Sequence, residues 1–153
     1  MDSLTQARLQ AIRLLKVRPR SEAELRDRLT RKGASPETVE TLLEEFRRKG
    51  LVDDVKFAKL FATQRALSKP MGKRALMAEL KAKGVAPDLI SRAVGEALGD
   101  RDEESAAREL AAARISRLKD IPKPAQQRRL FGFLSRRGFS GDVVYKVVRE
   151  VVG

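Results

Sequence analysis

One stretch decides the fold: LRDRLTRKGASPETVETLL, residues 25–43, sets two leucines, a glycine, a proline and further apolar residues at fixed intervals. The same intervals return in LMAELKAKGVAPDLISRAV, residues 76–94, and, with glycine replacing the proline, in LFGFLSRRGFSGDVVYKVV, residues 130–148. Each copy has a glycine at its centre: Gly33, Gly84 and Gly138. These glycines are 51 and 54 residues apart, and such a regular period indicates a repeated structural unit. Units stacked in a row form a long surface, which suits contact with another polymer.

Three helices are predicted for each repeat, and the first repeat shows why. Ser21 followed by Glu24 forms a capping box, which is typical of a helix start. Gly33 and Gly50 supply helix ends, and Pro36 suits the first turn of a helix, where its missing amide proton costs no hydrogen bond. The pattern predicts an all-α fold: three tandem three-helix repeats, each like a helix-turn-helix unit, in an elongated, curved array.

The repeats are predicted to form three domains, at residues 1–50, 51–99 and 100–153. The predicted helices lie at 4–16, 22–32, 36–49, 54–67, 73–83, 87–98, 102–118, 126–137 and 141–152, with breaks at 18–20, 69–72 and 121–124. Either Asp53 or Asp54 is expected to cap the fourth helix. The last helix is rich in valine, but its valines recur every four residues, which is helical spacing rather than strand alternation.

The composition narrows the possible functions. The chain of 153 residues contains no Cys, His or Trp, which excludes disulfides, thiolate and imidazole metal sites, and Ser–His–Asp or Cys–His catalysis. No phosphate-binding loop is present, and helix capping explains Asp53 and Asp54. We therefore expect no enzyme, no metal and no cofactor. Because no apolar run could span a bilayer and the N-terminus lacks the apolar core of a signal peptide, a cytoplasmic protein is expected.

The net charge of +12 favours a polyanionic partner such as nucleic acid. Positive charge is concentrated on the first helix and its exit, and on the middle helices of the second and third repeats. The residues expected to form this basic face are Arg8, Arg13, Lys16, Arg18, Arg20, Lys73, Arg74, Lys81, Lys83, Arg128, Arg129, Arg136 and Arg137. Lys83 and Arg137 directly precede Gly84 and Gly138, two of the glycines expected to end a helix, which we call stop glycines. A structural role at a helix C-terminus therefore stays open for Lys83 and Arg137. For the other basic residues, the alternative that they only form a solvent-exposed helix surface, without a binding partner, stays open.

The third helix of each repeat is neutral to acidic. In the first repeat it carries four glutamates: Glu37, Glu40, Glu44 and Glu45. A helix-turn-helix DNA reader contacts bases through Arg, Asn or Gln on its last helix, and four glutamates are unsuited to that role. Contact with nucleic acid is therefore expected to use phosphates, without base specificity.

The aromatic residues are few. Phe57 and Phe61, one helical turn apart, are expected in the core. Four more flank the turn of the third repeat: Phe131, Phe133, Phe139 and Tyr145. Their spacing also favours the core, and base stacking is left open chiefly for Phe133 and Phe139, which neighbour basic residues.

Several motifs resemble the RecX family of bacterial recombination regulators. The most specific is Gly50-Leu51-Val52-Asp53-Asp54-x2-Phe57-Ala58. The match continues through Arg65, Gly72, Glu79-Leu80, Lys83-Gly84 and Leu134-x-Arg136-Arg137-Gly138-Phe139, and upstream through Arg20-Ser21-Glu22-x-Glu24-Leu25 and Lys32-Gly33. The positions taken as the structural motif are Gly33, Gly50, Asp53, Asp54, Phe57, Gly84 and Gly138. The resemblance covers nearly the whole chain.

The resemblance implies a function. RecX proteins modulate RecA, the ATPase that coats single-stranded DNA in homologous recombination and the SOS response. They bind in the groove of the RecA–DNA filament, inhibit its extension or promote its disassembly, and so suppress ATP hydrolysis, strand exchange and co-protease activity. The resemblance adds Arg65 to the basic face and implies binding to single-stranded DNA without sequence preference, with double-stranded DNA left open. A monomer is expected.

Two other interpretations remain open from the residues themselves. The first is a helical protein that binds DNA without sequence specificity and acts independently of RecA. The second is an adaptor whose basic face contacts an acidic protein. Salt dependence separates them, because binding through many phosphates weakens steeply as salt rises.

Overall fold

The computed structural model describes residues 2–68, 71–99 and 102–153, and within these ranges it contains nine α-helices, a short 3-10 turn and no strand. The helices are α1 (Ser3–Val17), α2 (Glu22–Arg31), α3 (Pro36–Arg48), α4 (Asp54–Ser68), α5 (Lys73–Ala82), α6 (Pro87–Leu98), α7 (Glu103–Ile115), α8 (Lys123–Arg136) and α9 (Gly141–Val152). The 3-10 turn, Ser116–Leu118, extends α7. The prediction of an all-α chain with three helices per repeat is confirmed.

The helix starts follow the local sequence. The Ser21 hydroxyl accepts a hydrogen bond from the Glu24 amide at 3.1 Å, and the Glu24 carboxylate accepts from the Ser21 amide, which completes the predicted capping box. Ser35 caps α3, where Pro36 occupies the first turn. At α4, Asp53 performs the capping, since its carboxylate accepts from the amides of Val55 and Lys56.

The helix ends follow the glycines. Gly33, Gly50, Gly84 and Gly138 all have φ values between 72° and 98°, a region that glycine adopts without a steric penalty. The predicted break at 121–124 is too long, because α8 begins at Lys123 rather than at Gln126. Pro124 fits the first turn of α8, where no backbone hydrogen bond is lost. The residues Lys69 and Pro70 of the predicted break at 69–72, and Asp100 at the predicted domain boundary, lie outside the described residues.

The chain divides into two compact units that cut through the second repeat. The first unit contains Met1–Phe61 with Leu80–Ala93, and the second contains Ala62–Glu79 with Val94–Gly153. A core cluster in the first unit is built from α1, α2 and α3, and its largest fully buried side chains are Phe46, Leu25, Leu29, Leu42 and Leu43. The leucines of the repeated pattern therefore face inward, as predicted.

The corresponding cluster in the second unit joins α7, α8 and α9. Leu130 and Leu134 of α8 pack with Val144, Val147 and Val148 of α9. Small residues of α7, Ala107 and Ala111, complete this core at full burial. The valines of α9 thus form an inward-facing helical stripe, which explains why a segment rich in β-branched residues is helical.

Two stop glycines allow close packing between successive repeats. Within the first unit, the Ser21 hydroxyl donates to the Lys83 carbonyl at 2.6 Å, and a Cβ on Gly84 would overlap Ala23. Within the second unit, the Gly72 amide donates to the Arg137 carbonyl at 2.6 Å.

The packing around Gly138 is even closer, because a Cβ there would overlap the backbone of Ala75. Gly33 has the same backbone conformation, but a Cβ there would meet no atom within 4 Å. The repeated glycine therefore ends a helix in all three repeats and serves as a packing contact in the second and third. No helix within the described ranges has the length and apolar composition needed to cross a membrane.

Candidate functional site

The arginines of α1 and its exit are largely used inside the first repeat. Arg8 donates two hydrogen bonds to Glu45 of α3, at 2.9 and 3.0 Å. Arg18 donates to both carboxylate oxygens of Glu24, at 3.3 and 2.7 Å. Arg20 is buried, and its Nε lies 3.4 Å from the Leu14 carbonyl at the end of α1. Burial lowers the pKa of Arg20.

Glu24 is the centre of a small charged network in the first unit. Its carboxylate contacts Arg18, accepts from the Ser21 amide at 3.1 Å, and lies 3.5 Å from Nζ of Lys83. Burial opposes ionisation, but the hydrogen bonds from Arg18 and Ser21 and the charge of Lys83 outweigh it, so the pKa of Glu24 falls to about 2. The Lys83 ammonium also lies 5.7 Å from the centre of the Phe61 ring. Lys83 therefore has a clear structural role.

Other glutamates of the first repeat bind arginine as well. Glu40 of α3 accepts from Arg26 at 2.8 Å, and Arg47 pairs with Glu22 across α2 and α3. The acidic helix α3 thus forms ion pairs with arginines of α1 and α2. Its glutamates are the same residues that make base recognition by this helix unfavourable. Much of the positive charge counted in this repeat is neutralised within it.

Asp54 links two helices of the first unit. Its carboxylate accepts from the Glu22 amide at 2.8 Å, at the start of α2, so it caps a helix other than its own. Burial raises the pKa of Asp54, and the neighbouring Glu22 carboxylate adds to the effect. Phe57, one turn further on, is buried and stacks on Phe61 with ring centres 6.0 Å apart. Asp54 and Phe57 therefore both support the fold.

The basic residues of the second repeat are more open. Lys73, Arg74 and Lys81 of α5 are exposed, and none has an ion pair among the described residues. Arg65 of α4 differs, because its Nε donates to Glu79 at 2.8 Å. On α1, Arg13 and Lys16 also remain exposed, and no carboxylate in the described part of the chain pairs with them.

The surface of α8 is the most strongly basic part of this set. The stretch 123–137 contains no Asp or Glu. We define the α8 basic face as Arg128, Arg129 and Arg136, which are all exposed and have no ion pair within residues 2–68, 71–99 and 102–153. Arg137 is half-buried, with its guanidinium 4.9 Å from the centre of the Phe133 ring. The first three arginines are therefore available to a ligand, whereas Arg137 also supports the fold.

The aromatic residues near α8 follow the expectation of a core position only in part. Phe139 is buried in the core, and Phe133 is half-buried between contacts with Arg114 and Arg137. The exposed aromatic residues are instead Phe131 and Tyr145, at 42% and 59% exposure. Each directly follows an inward-facing residue of the repeated pattern, Leu130 or Val144. That position alone does not mark an exposed residue, because Val148 also directly follows an inward-facing residue, Val147, and is buried.

Comparison with known proteins agrees with this architecture. Three family models match in order, described as the first, second and third three-helix domains of RecX, at residues 7–46, 53–94 and 102–148. The chain is 44% identical over 138 residues to the regulatory protein RecX of Amycolatopsis mediterranei, covering 90% of this chain and 78% of the relative. It is 38% identical over 149 residues to that of Thermobifida fusca, covering 97% and 80%. The crystal structure of RecX from Lactobacillus salivarius has the same fold, with a TM-score of 0.82 at 17% identity, covering 98% of this chain and 97% of that one.

Proposed function

The chain belongs to the RecX family of regulatory proteins, and from that premise we propose that it regulates the RecA recombinase. In this proposal it binds the filament that RecA forms on single-stranded DNA and inhibits filament extension or promotes disassembly. ATP hydrolysis, strand exchange and co-protease activity then fall together, because each requires the filament. The protein acts in the cytoplasm as a monomer and carries out no covalent chemistry.

The α8 basic face is the observation that supports this function best. Its three arginines are exposed on a helix without acidic residues, so no carboxylate on that helix competes for them. An arginine that is already desolvated in an internal ion pair must break that pair before it can bind a phosphate or an acidic side chain. The unpaired arginines of α8 avoid this cost.

Further exposed cations support binding to a repetitive polymer. Lys73, Arg74 and Lys81 on α5, and Arg13 and Lys16 on α1, are also exposed. A filament presents equivalent sites again and again. Several weak contacts made by one chain raise the overall affinity above that of any single contact. Contact through phosphates requires no particular base sequence, so we propose binding to DNA without sequence specificity.

The test is the DNA-dependent ATPase of RecA from the same organism, titrated with this protein at substoichiometric ratios. We expect hydrolysis to fall well before one chain is added per RecA protomer, because blocking a growing filament affects many protomers. Full ATPase activity at equimolar protein would overturn the proposal.

A matched pair of variants locates the surface. Arg128→Glu, Arg129→Glu and Arg136→Glu together should weaken inhibition by about a hundredfold. The control replaces Arg28, Arg48 and Arg92 by Glu. These three are exposed and have no ion pair in the described part of the chain, so the change in net charge is the same. If both triple variants lose inhibition equally, total charge rather than the α8 basic face determines binding.

The same exposed arginines also suit direct binding to DNA, which supports a second candidate function. In it, the protein binds DNA phosphates and acts independently of RecA. It predicts that the protein excludes any competing DNA-binding protein from single strands with equal efficiency. An unrelated single-strand binding protein, displaced at the same concentration that inhibits RecA, would favour this second function.

A further inference from the structure

We propose that the groove between α8 and α9 is a stacking site for the unpaired bases of a single-stranded nucleic acid. The groove has a volume of about 510 Å³ and is lined by Gln127, Arg128, Phe131, Tyr145, Val148 and Arg149. Both helices belong to the same compact unit. The volume lies within the range of roughly 300–1,000 Å³ that is usual for ligand sites. The inference rests on the proposed function, because single-stranded DNA is the polymer on which the regulated filament is built.

The groove has an aromatic lining on both helices. Phe131 comes from α8 and Tyr145 from α9, at 42% and 59% exposure. The five other aromatic residues of the chain are buried or half-buried. Exposing apolar aromatic surface to water is unfavourable in free energy. Here the two exposed rings line the same groove, so a ligand in that groove would cover both. A base has a flat π-face that stacks on such rings whatever its identity.

Two arginines complete the site. The Arg149 guanidinium lies 5.5 Å from the centre of the Tyr145 ring, so a cation is held beside the aromatic surface. Arg128 lines the groove from α8 and has no ion pair among the residues that the structure describes. A strand with a base in the groove would bring its flanking phosphates close to these guanidinium groups, which bind phosphate through paired N–H donors.

The position of Arg128 connects the groove to the α8 basic face. At 3.6 residues per turn, Arg128 lies on α8 between Phe131 on the groove side and Arg129 with Arg136 on the other side. A strand that leaves the groove past Arg128 would therefore reach the α8 basic face. This arrangement combines a stacking site with a cationic path for the backbone, which is the usual design of surfaces that bind single strands.

The occupant that this chemistry fits is a single strand. In a duplex the bases are stacked within the helix, so they cannot enter a groove from its edge. An acidic peptide would satisfy the arginines, but its aliphatic carboxylate side chains would leave the two rings unused. Charge and aromatic surface together favour an unpaired nucleotide.

Tyr145 provides a direct reporter, because the chain contains one Tyr and no Trp. We expect an oligothymidylate strand to quench the tyrosine fluorescence of the wild-type protein. An abasic strand of the same length has the same phosphates but no bases, so it should quench little and bind roughly tenfold more weakly. Equal quenching and equal affinity for the two strands would overturn the proposal. So would equal quenching by polyglutamate, which would identify an acidic protein as the occupant.

Variants test the same site by affinity. Phe131→Leu with Tyr145→Leu should weaken binding of the oligothymidylate by about tenfold to a hundredfold and change binding of a duplex of equal length by less than about twofold. Tyr145→Phe keeps the ring, so it should lose much less affinity than the double variant. Unchanged affinity in the folded double variant would contradict the proposal. If that variant does not fold, the comparison of normal and abasic strands on the wild-type protein decides the question.

These measurements use the protein without RecA. Compared with the RecA ATPase assay, they distinguish failure of the stacking site from failure of the proposed function. Loss of the base-dependent signal, with RecA still inhibited, rejects the stacking site and leaves the proposed function in place. A clear base-dependent signal without any inhibition of RecA supports the stacking site and rejects regulation of RecA.

Discussion

In the first repeat, α1, α2 and α3 each contain an arginine that contacts a carboxylate on another helix; in the third repeat, three arginines of α8 contact solvent. Arg8, Arg26 and Arg47 each pair with a glutamate on another helix. Arg128, Arg129 and Arg136 pair with no acid in the described residues. The two repeats have the same helical plan and similar arginine content, yet they differ in how much positive charge remains available to a ligand.

The third helices of the two repeats help to explain this difference. α3 carries Glu40 and Glu45, which accept hydrogen bonds from arginines of α2 and α1. In the third repeat, Glu104 and Glu150 bind Arg108 of α7, and Glu104 also binds Lys146 of α9. These two glutamates of the third repeat are thus paired with cations of α7 and α9 rather than of α8. Net charge alone therefore does not identify a binding surface.

The stop glycines offer the strongest test of the comparison between these repeats. Gly33→Ala should cost about 1 kcal/mol, because alanine is strained at positive φ. Gly138→Ala should cost about 3 kcal/mol, because its Cβ would also overlap Ala75. Urea unfolding followed by circular dichroism measures both. Equal losses would show that Gly138 has no packing role beyond ending its helix.

Acid unfolding tests the charged network of the first unit. Glu24→Gln should lower the free energy of unfolding by about 2 kcal/mol at neutral pH, because Arg18 and Lys83 lose a half-buried counter-charge. The folded pKa of about 2 lies below the unfolded value of 4.5, so this stabilisation is present above pH 4.5 and is lost as the pH falls from there toward 2. The difference in stability between wild type and Glu24→Gln should therefore shrink over that interval. A difference that is independent of pH would contradict the assignment.

A single substitution should give α8 the internal pairing that the first repeat has. Gly132→Glu places a carboxylate four residues from both Arg128 and Arg136, where i,i+4 pairs form. We expect binding to single-stranded DNA to weaken by about tenfold. The control, Gly132→Gln, should make α8 slightly more stable by replacing glycine and leave affinity within about twofold. Equal affinities of the two variants, measured by fluorescence anisotropy, would show that free α8 arginines are not required.

The smallest effect is expected at the paired arginines themselves. Arg26→Gln removes contacts with Glu22 and Glu40 at a solvent-exposed position. Because exposed ion pairs contribute little, the melting temperature should fall by no more than about 2 °C. Inhibition of RecA should not change. A loss of inhibition as large as that of the α8 variants would remove the distinction between paired and unpaired arginines.

Much of the fold was predictable because its signals are local. Ser21 with Glu24, and Ser35 with Pro36, define two helix starts within a few residues of sequence, and the repeated glycines define the ends. The error at α8 is also local in origin, since proline is compatible with both a break and a first helical turn.

The candidate site was less predictable because it depends on contacts between helices. Arg8 and Glu45 are 37 residues apart, and a pattern within α1 does not reveal that they meet. The burial of Arg20 and the exposure of Tyr145 likewise follow from packing between helices. The sequence identifies which residues are basic, whereas the structure identifies which of them are still free to bind.

The most direct test of this account is the salt dependence of binding to single-stranded DNA. Each phosphate contact contributes about 0.7 to the slope of log K against log salt concentration. Replacing Arg128, Arg129 and Arg136 by Gln should reduce the magnitude of that slope by about 2. The same replacement of Arg28, Arg48 and Arg92, which removes equal charge, should leave the slope unchanged. Equal slopes for the two triple variants would contradict the claim that the unpaired arginines of α8 bind the polyanion.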